Sequence, residues 1–392
     1  PRGALAAALP RAPRARPRVH AMARSAAPWV LAAASALGAA IGGALWWQKQ
    51  GGRGRSNGRS RSHSGSAVHR QRSARSVRKR RASSSSRPKS LSAPRDADAP
   101  LRDLLTVILT TSPVERHPST ELLDEVLGSM ELAKGVQACD MIIVCDGCRR
   151  TDGDGNEFTT SRFRVGIVDS TSAANYEEYK ARLRSRASET PPAITVLELK
   201  SRAGFGFAVR AALRHVATPY VLVMQHDRPF TRPADVPRLI AAMEAHPKRL
   251  RYVGLPTSTT VGHQYHVLSK YGIRIEPFQA DDRGLQMLPL VQWYDSAHLC
   301  TTQHYREFVF GPDKRVAKGG FIEDKLGQMQ LAAIRERGVE AAHPEHGTFV
   351  ALGDGFSEPC VAHLDGRDAL NGAKFRWATP EPPRAQAAKD AA

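Results

Sequence analysis

The stretch Tyr220-Val-Leu-Val-Met-Gln225-His226-Asp227 decides the fold. Its first five residues are apolar and run without a break into three polar side chains. A short, uninterrupted apolar run of this kind is typical of a strand buried inside a parallel sheet. Ligands of open α/β sheets collect at the carboxyl ends of the strands, so Asp227 is expected to face a site there.

Strand-like and helical segments alternate on both sides of this stretch. Further buried strands are predicted over residues 104–110, 141–145 and 194–199. Helices are predicted over residues 119–132, 174–187 and 203–216, the second of them polar and exposed. This alternation indicates βαβ units and an α/β fold with a mainly parallel sheet flanked by helices.

The basic charge of the chain is confined to its N-terminal quarter. The formal net charge is +19, and residues 1–95 hold 21 of the 57 basic groups and no acid. The remaining residues carry 36 basic and all 38 acidic groups, which is close to neutral. A basic surface that would bind nucleic acid is therefore not expected on the folded part, and no nucleic-acid partner is predicted.

The composition also predicts the domain organisation. Residues 1–25 form a basic segment, and the uncharged residues 26–47 have the length of a transmembrane signal anchor. Residues 48–100 are an Arg- and Ser-rich stem that is expected to be disordered. A folded domain over 101–370 and a tail over 371–392 follow. A single-pass protein of the Golgi or endoplasmic reticulum is the first expectation. The alternative is a plastid transit peptide, since such peptides are also rich in Arg and Ser and poor in acids.

Four segments in order resemble one family of enzymes. They are residues 106–111, residues 142–147, the glycine-rich residues 202–210 with the strand before Asp227, and the Gly-Gly-Phe-Ile-Glu-Asp run at 319–324. In this order they resemble the nucleotide-sugar glycosyltransferases of the GT-A fold, family 2 type, over roughly residues 104–365. The resemblance implies a Rossmann-like sheet and transfer of a sugar to a hydroxyl acceptor with inversion.

The resemblance also implies a donor site. Departure of a nucleoside diphosphate leaves negative charge that Mg²⁺ or Mn²⁺ commonly neutralises through oxygen ligands. The family places Asp-x-Asp at a strand end for this purpose; here Gln225 takes the first position and leaves Asp227 as the anionic ligand. His363 is the predicted second metal ligand. The predicted donor-binding residues are Thr110, Thr111, Asp146, Lys200, Arg202, Gly206, Gln225 and Asp227.

Inverting transfer needs a general base for the proton of the acceptor hydroxyl. Asp324 is the predicted base and Glu323 the reserve, because adjacent carboxylates on one turn cannot both face the substrate. Either acid has an alternative role as a charge at the start of the helix that follows. The aromatic residues Trp293 and Tyr294 lie where the acceptor side would begin, and a place in the core suits them equally.

The acceptor is expected to be a glycan, a protein or a lipid, and the sequence selects none of them. Two other functions stay open at this point. One is a catalytically silent protein that binds a sugar or a nucleotide, and Gln225 is the residue that favours it. The other is a nucleotidyltransferase on a related fold. Residues 110–115 argue against it, because they lack a glycine-rich phosphate loop.

Overall fold

The computed structural model describes residues 100–151, 163, 165–188, 192–313, 315–365 and 376–377. The predicted basic segment and anchor lie outside these residues, as do all of the stem except Pro100 and all of the C-terminal tail except Arg376 and Trp377. Among the described residues, no helix has both the length and the apolar character needed to cross a bilayer.

The centre of the molecule is a nine-stranded sheet with the strand order β5-β2-β1-β6-β10-β7-β11-β9-β8. Seven of these strands run in one direction, and β9 and β10 run against them. The strands are β1 (Leu105–Thr111), β2 (Met141–Cys145), β5 (Ile194–Glu198), β6 (Tyr220–Gln225), β7 (Tyr252–Gly254), β8 (Phe278–Gln279), β9 (Leu285–Pro289), β10 (His298–Thr301) and β11 (Thr348–Gly353). Two small pairs lie outside the sheet, β3 (Arg149–Arg150) with β4 (Ile167–Val168) and β12 (Leu364–Asp365) with β13 (Arg376–Trp377).

Helices cover both faces of the sheet. They are α1 (Leu101–Leu104), α2 (Glu121–Ser129), α3 (Ser170–Arg184), α4 (Phe205–Ala212), α5 (Val236–Ala245), α6 (His263–Tyr271), α7 (Thr302–His304), α8 (Gln328–Arg337) and α9 (Val339–His346). Short 3₁₀ turns cover Met130–Leu132 and Val136–Ala138. A π-helical turn over Tyr305–Val309 continues α7, and another over Glu323–Gly327 leads into α8.

The central strand β1 shows why the sheet is buried on both sides. All of its residues are buried. Leu105, Val107 and Leu109 join one core, and Ile108 joins the core on the opposite face. Successive side chains of a strand point to opposite faces, so an uninterrupted apolar strand fits between two helical layers. The predicted mainly parallel α/β sheet is confirmed.

The predicted strands agree with the structure to within one residue, and the helices agree less well. Helix α3 was predicted to be exposed, but Tyr176, Tyr179 and Leu183 on one side of it are buried. This spacing of three and four residues places them on one face of the helix, which packs on the sheet. Helix α4 begins at Phe205, two residues later than predicted, because Gly204 directly before it has a φ of +78° and a ψ of 164°, which are not helical.

Buried histidines make the fold sensitive to acid. Burial lowers the pKa of His263 and of His298 to about 4, from an ordinary 6.5. Each such histidine stabilises the folded state fully at a pH above the pKa that it has in the unfolded chain. This stabilisation is lost as the pH falls, and the loss is about 2 kcal/mol per histidine at pH 5. Burial also lowers the pKa of four others to between about 3 and 4, namely His117, His304, His343 and His346.

We therefore expect the free energy of unfolding in urea to be several kcal/mol lower at pH 5 than at pH 7.5. Burial raises the pKa values of three acids, Asp146, Asp295 and Glu323. These acids change the stability with pH in the opposite direction, but they are fewer than the six histidines. His263→Gln should reduce the difference in unfolding free energy between the two pH values by the contribution of one histidine, about 2 kcal/mol. Equal stability at the two pH values would contradict this expectation.

Candidate active site

A cleft opens at the carboxyl ends of β1, β2 and β6. These three neighbouring strands run in parallel, so the residues that end them meet at one edge of the sheet. The cleft is lined from this edge by Thr110, Asp146 and Gln225, and from the facing loops by Arg202 and Phe321. Sequence segments more than 200 residues apart thus form a single concave surface, the usual form of a small-molecule site.

Thr110 and Thr111 lie in the wall of the cleft, at the end of β1. The Thr111 hydroxyl is 2.7 Å from His226 Nδ1 and 3.1 Å from the Tyr179 hydroxyl. Thr110 Oγ1 donates to the Met224 carbonyl oxygen over 3.3 Å. His226 is buried and forms part of the wall, and burial lowers its pKa below the ordinary value.

Asp146 fastens the end of β2 to the start of α4. Its carboxylate accepts backbone N–H groups from Gly147 (2.8 Å), Ala203 (2.7 Å) and Gly204 (2.9 Å). Burial raises the pKa of Asp146, and these hydrogen bonds together with the charge of Arg202 partly offset the rise. The predicted nucleotide contact is therefore a side chain that also holds two loops of the cleft together.

The Gly-Gly-Phe segment lies directly against the start of α4. The Gly319 N–H donates to the Ala203 carbonyl over 2.7 Å. Gly204 has a φ of +78°, and a Cβ on it would come within 2.5 Å of the Gly319 backbone. The approach of these two loops requires glycine at 204, because a side chain there would be strained and would collide.

Three predicted donor contacts, Lys200, Gly206 and Asp227, are not among the described residues that line the cleft. A Cβ on Gly206 would meet Val316 Cγ1 at 2.6 Å, so this glycine permits close packing of α4 on its neighbours. Lys200 is exposed and is not among the described residues that line the cleft. Arg202 does line it and supplies a positive charge. The order of the motifs in the sequence placed the segment 200–206 beside the cleft, but it did not predict which side chains of this segment face the cleft.

The structure brings Asp227 and His363 together across 136 residues. His363 Nε2 lies 3.2 Å from Asp227 Oδ2. The C-terminal segment is held there by backbone hydrogen bonds, of the Leu364 N–H to the Asp227 carbonyl and of the Ala362 N–H to the Pro229 carbonyl. The two predicted metal ligands are therefore adjacent.

The electrostatics of Asp227 suit a cation ligand. Burial alone would raise its pKa, but the hydrogen bond and charge of His363 and the charges of His226 and Arg228 outweigh burial and lower the pKa. Its buried Oδ1 accepts no hydrogen bond from the described part of the chain, and Arg228 Nε is 4.0 Å away. A buried carboxylate oxygen with no donor is unusual, and it fits an atom that binds a positive ligand.

The protein donors alone do not complete a metal shell. Among the described residues, no group of three or more His, Cys, Asp and Glu side chains has the geometry to hold an ion. Asp227 and His363 supply one oxygen and one imidazole nitrogen. Mg²⁺ and related ions commonly take only one or two protein ligands and fill the shell with water and substrate phosphate oxygens. The pair therefore fits an ion that is held jointly by protein and diphosphate.

The two acids of the Glu323-Asp324 pair have different surroundings. Asp324 is exposed, and its Oδ2 accepts the Phe321 N–H over 2.9 Å at the cleft rim. Glu323 is half-buried, and its Oε2 accepts the Asp295 N–H over 3.3 Å. Burial raises the pKa of Glu323, and the negative charge of Asp324 adds to the rise while Asp295 N–H and Arg228 oppose it. The predicted base is thus the accessible acid of the two.

Asp295 is a site residue to which the sequence analysis assigned no role. It is 4% exposed, and its Oδ1 accepts the Trp293 Nε1–H over 3.0 Å. Burial and the charge of Glu323 raise its pKa well above the ordinary range. Its hydrogen-bond partner Glu323 is 28 residues away in the sequence, so only the folded chain reveals the pair.

The aromatic residues of the acceptor side divide into two groups. Trp293 is fully buried and packs against Tyr252 and His298, which supports the core alternative for it. Phe321 is 44% exposed and stacks on the half-buried Phe205, with ring centroids 5.7 Å apart. This pair lies at the cleft and next to Asp324.

Comparison with known proteins finds a family model that matches part of the chain. Residues 148–302 match the model of glycosyl transferase family 2. The resemblance to this family is confirmed. The matched residues include β5, α4, β6 and the Gln225-His226-Asp227 segment, and they end before Glu323, Asp324 and His363. No curated protein sequence matches the chain at a significant level.

Solved structures with detectable similarity include glycosyltransferases. The S. aureus TarS fragment 1–349 in complex with UDP-GlcNAc is 13% identical, with a TM-score of 0.35 over 64% of this chain and 56% of that one. The mannosyltransferase PcManGT from Pyrobaculum calidifontis, in complex with GDP-Man and Mn²⁺, is 16% identical, with a TM-score of 0.32 over 67% and 60%. The chain spans between 35% and 58% of the length of the first three structures, all of TarS.

Proposed function

We propose that this protein transfers a sugar from a nucleotide-sugar donor to a hydroxyl acceptor, with inversion and with the help of a divalent cation. The observation that carries the proposal is the meeting of Asp227 and His363, 3.2 Å apart, at a strand end within a family 2 sheet. A carboxylate with a lowered pKa beside an imidazole is a suitable place for a cation that binds diphosphate.

The donor end of the cleft is formed by the strand ends. Thr110, Thr111 and Asp146 line the part next to β1 and β2, and Arg202 lines the facing loop. A bound Mg²⁺ or Mn²⁺ would neutralise the charge that develops on the departing diphosphate. Asp227 and His363 would hold that ion, and the positive charge of Arg202 would stabilise the phosphates from the opposite side of the cleft.

Asp324 is the proposed general base. One of its oxygens is occupied by the Phe321 N–H, and the other accepts no hydrogen bond from the described residues. This oxygen takes the proton of the acceptor hydroxyl while the hydroxyl oxygen forms a bond to the anomeric carbon. The bond from that carbon to the diphosphate breaks on the opposite face, and the diphosphate leaves with the bonding electrons.

A second candidate function is binding of a sugar nucleotide without turnover. It is favoured by Gln225, a neutral residue where the family has an acid. The acceptor class, whether glycan, protein or lipid, also belongs to the proposal, as do the membrane anchor over residues 26–47 and the placement in the Golgi or endoplasmic reticulum.

The direct test is incubation of the full chain with a panel of sugar nucleotides and Mn²⁺ or Mg²⁺, followed by measurement of released nucleoside diphosphate. Release from at least one donor, dependent on the ion, is the expected result. Tight donor binding without release would support the silent binding protein. Formation of pyrophosphate from a nucleoside triphosphate and a sugar phosphate would show a nucleotidyltransferase and overturn the proposal.

The stacked pair Phe205 and Phe321 predicts where the acceptor binds. An exposed aromatic face beside the proposed base offers a surface on which the apolar face of a sugar ring can stack, worth about 1 kcal/mol. We expect Phe321→Ala to raise the KM for a saccharide acceptor about fivefold through this loss. Phe321→Tyr should preserve the KM, and the rate of donor hydrolysis by water should not change in either variant. An unchanged acceptor KM in Phe321→Ala would contradict the assignment.

A further inference from the structure

Gln225 makes a hydrogen bond that an acid in its place could not make. Its Nε2 donates to the Asp295 carbonyl oxygen over 2.7 Å. Since a carbonyl can only accept, this bond fixes which end of the amide is nitrogen. A glutamate carboxylate at position 225 would place an oxygen against that carbonyl oxygen, and a shorter aspartate carboxylate would have no donor to offer it. The neutral residue is thus a required donor in this structure.

Asp295 in turn is joined to Glu323 by two reciprocal hydrogen bonds. Asp295 Oδ2 accepts the Glu323 N–H over 3.1 Å, and Glu323 Oε2 accepts the Asp295 N–H over 3.3 Å. Each side chain thus binds the backbone of the other, as in the box that caps a helix start. The first N–H of the π-helical turn over Glu323–Gly327 is satisfied in this way.

The segment that carries Asp295 is held tightly on both sides. The Tyr252 hydroxyl donates to the Tyr294 carbonyl over 2.8 Å. A Cβ on Gly327 would lie 3.1 Å from the Trp293 carbonyl oxygen, so the helical turn packs directly on this backbone. A segment held in this way transmits displacement between its neighbours, because close-packed interiors have little room to adjust.

We propose that Gln225, Asp295 and Glu323 form a positioning relay that fixes the turn carrying Asp324 relative to the strand end carrying Asp227. The inference rests on the proposed function, since it assigns Asp227 to the donor and Asp324 to the acceptor. The relay sets the distance between the diphosphate and the base. Gln225 acts in it as a hydrogen-bond donor, and Glu323 acts as a positioning residue through Asp295.

The alternative role of Gln225 is that of a weak neutral metal ligand, and the two roles predict opposite results for one variant. Gln225→Glu has nearly the same shape and adds a negative charge. If position 225 only binds the ion, this change should tighten the metal and keep or raise kcat. If it is the donor of the relay, kcat should fall even though the metal binds as tightly or more tightly.

The experiment measures kcat, donor KM and the activating metal concentration for the full chain, Gln225→Glu and Asp295→Asn. Asparagine at 295 can accept from only one of Trp293 Nε1 and the Glu323 N–H, so it also weakens the relay. We expect kcat to fall about 10- to 100-fold in both variants, the scale of a misplacement of up to 1 Å, with donor KM little changed. The matched control is Gln264→Glu, since Gln264 Nε2 also donates to a backbone carbonyl, that of Ile275, over 2.9 Å and outside the cleft. It should leave all three quantities unchanged.

A second readout does not depend on activity. Hydrogen exchange of the backbone amides of residues 319–327 should be faster in Gln225→Glu and Asp295→Asn, and unchanged in Gln264→Glu. A wild-type kcat together with wild-type exchange in both variants would overturn the relay. If the wild type cleaves no sugar nucleotide, the proposed function fails, and the exchange measurement still decides whether the relay holds the turn.

Discussion

Asp324→Asn is expected to lower kcat by about 10²- to 10⁴-fold, the usual contribution of a general base. The amide retains an oxygen that can accept the Phe321 N–H, so the loop should keep its shape. Donor affinity should survive, because the base faces the acceptor on the side of the anomeric carbon away from the diphosphate. The measurement is kcat with saturating donor and acceptor, together with the donor dissociation constant from calorimetry.

Glu323→Gln is the control for this prediction. The glutamine oxygen can still accept the Asp295 N–H, and the Glu323 N–H remains in place for Asp295, so a loss of only a few-fold is expected. If Glu323→Gln instead shows the larger loss and Asp324→Asn the smaller, the two acids exchange roles. The proposed inverting chemistry would then stand with a different base.

Asp227→Asn is expected to reduce turnover by about 10³-fold or more, because a cation at the diphosphate contributes several kcal/mol. The change removes the only negative charge of the Gln225-His226-Asp227 segment and leaves its shape intact. His363→Gln should weaken activation by the metal to a smaller extent. The activity of each variant is measured over a series of Mn²⁺ and Mg²⁺ concentrations.

The matched control for the metal prediction is Asp140→Asn. Asp140 is an exposed acid directly before β2, at the opposite edge of the sheet from the cleft. The substitution is the same, and no change in kcat or in metal activation is expected. Full activity of the wild type in excess chelator would remove the metal from the account and leave Arg202 as the charge that stabilises the diphosphate.

The sheet could be predicted from the sequence because its central strands are buried on both faces. The apolar residues of β1, β2 and β6 are uninterrupted, and such runs have few other stable places in a fold. The carboxyl-end rule then predicted a site at the end of β6, where Gln225 and His226 line the cleft and Asp227 follows them. Helix α3 was harder, because Tyr176 and Leu183 are spread thinly among polar residues and the buried face has no clear apolar stripe.

The site was only partly predictable. The pairing of Asp227 with His363 followed from the family resemblance, and backbone contacts of the last segment bring it about. The close packing of Gly206 against Val316 depends on the path of the loop that carries Val316, and no local sequence pattern determines that path. The bond from Gln225 to Asp295 was missed for the same reason, since residues 70 apart in sequence leave no periodic signal.

The central claim is a single displacement at the anomeric carbon with Asp324 as the base. Its most direct test is the anomeric configuration of the first product, read by proton NMR during turnover of a donor that the chain accepts. One displacement requires the product to have the configuration opposite to that of the donor. Inversion in the wild type is the predicted result, and a product that retains the donor configuration would contradict the mechanism.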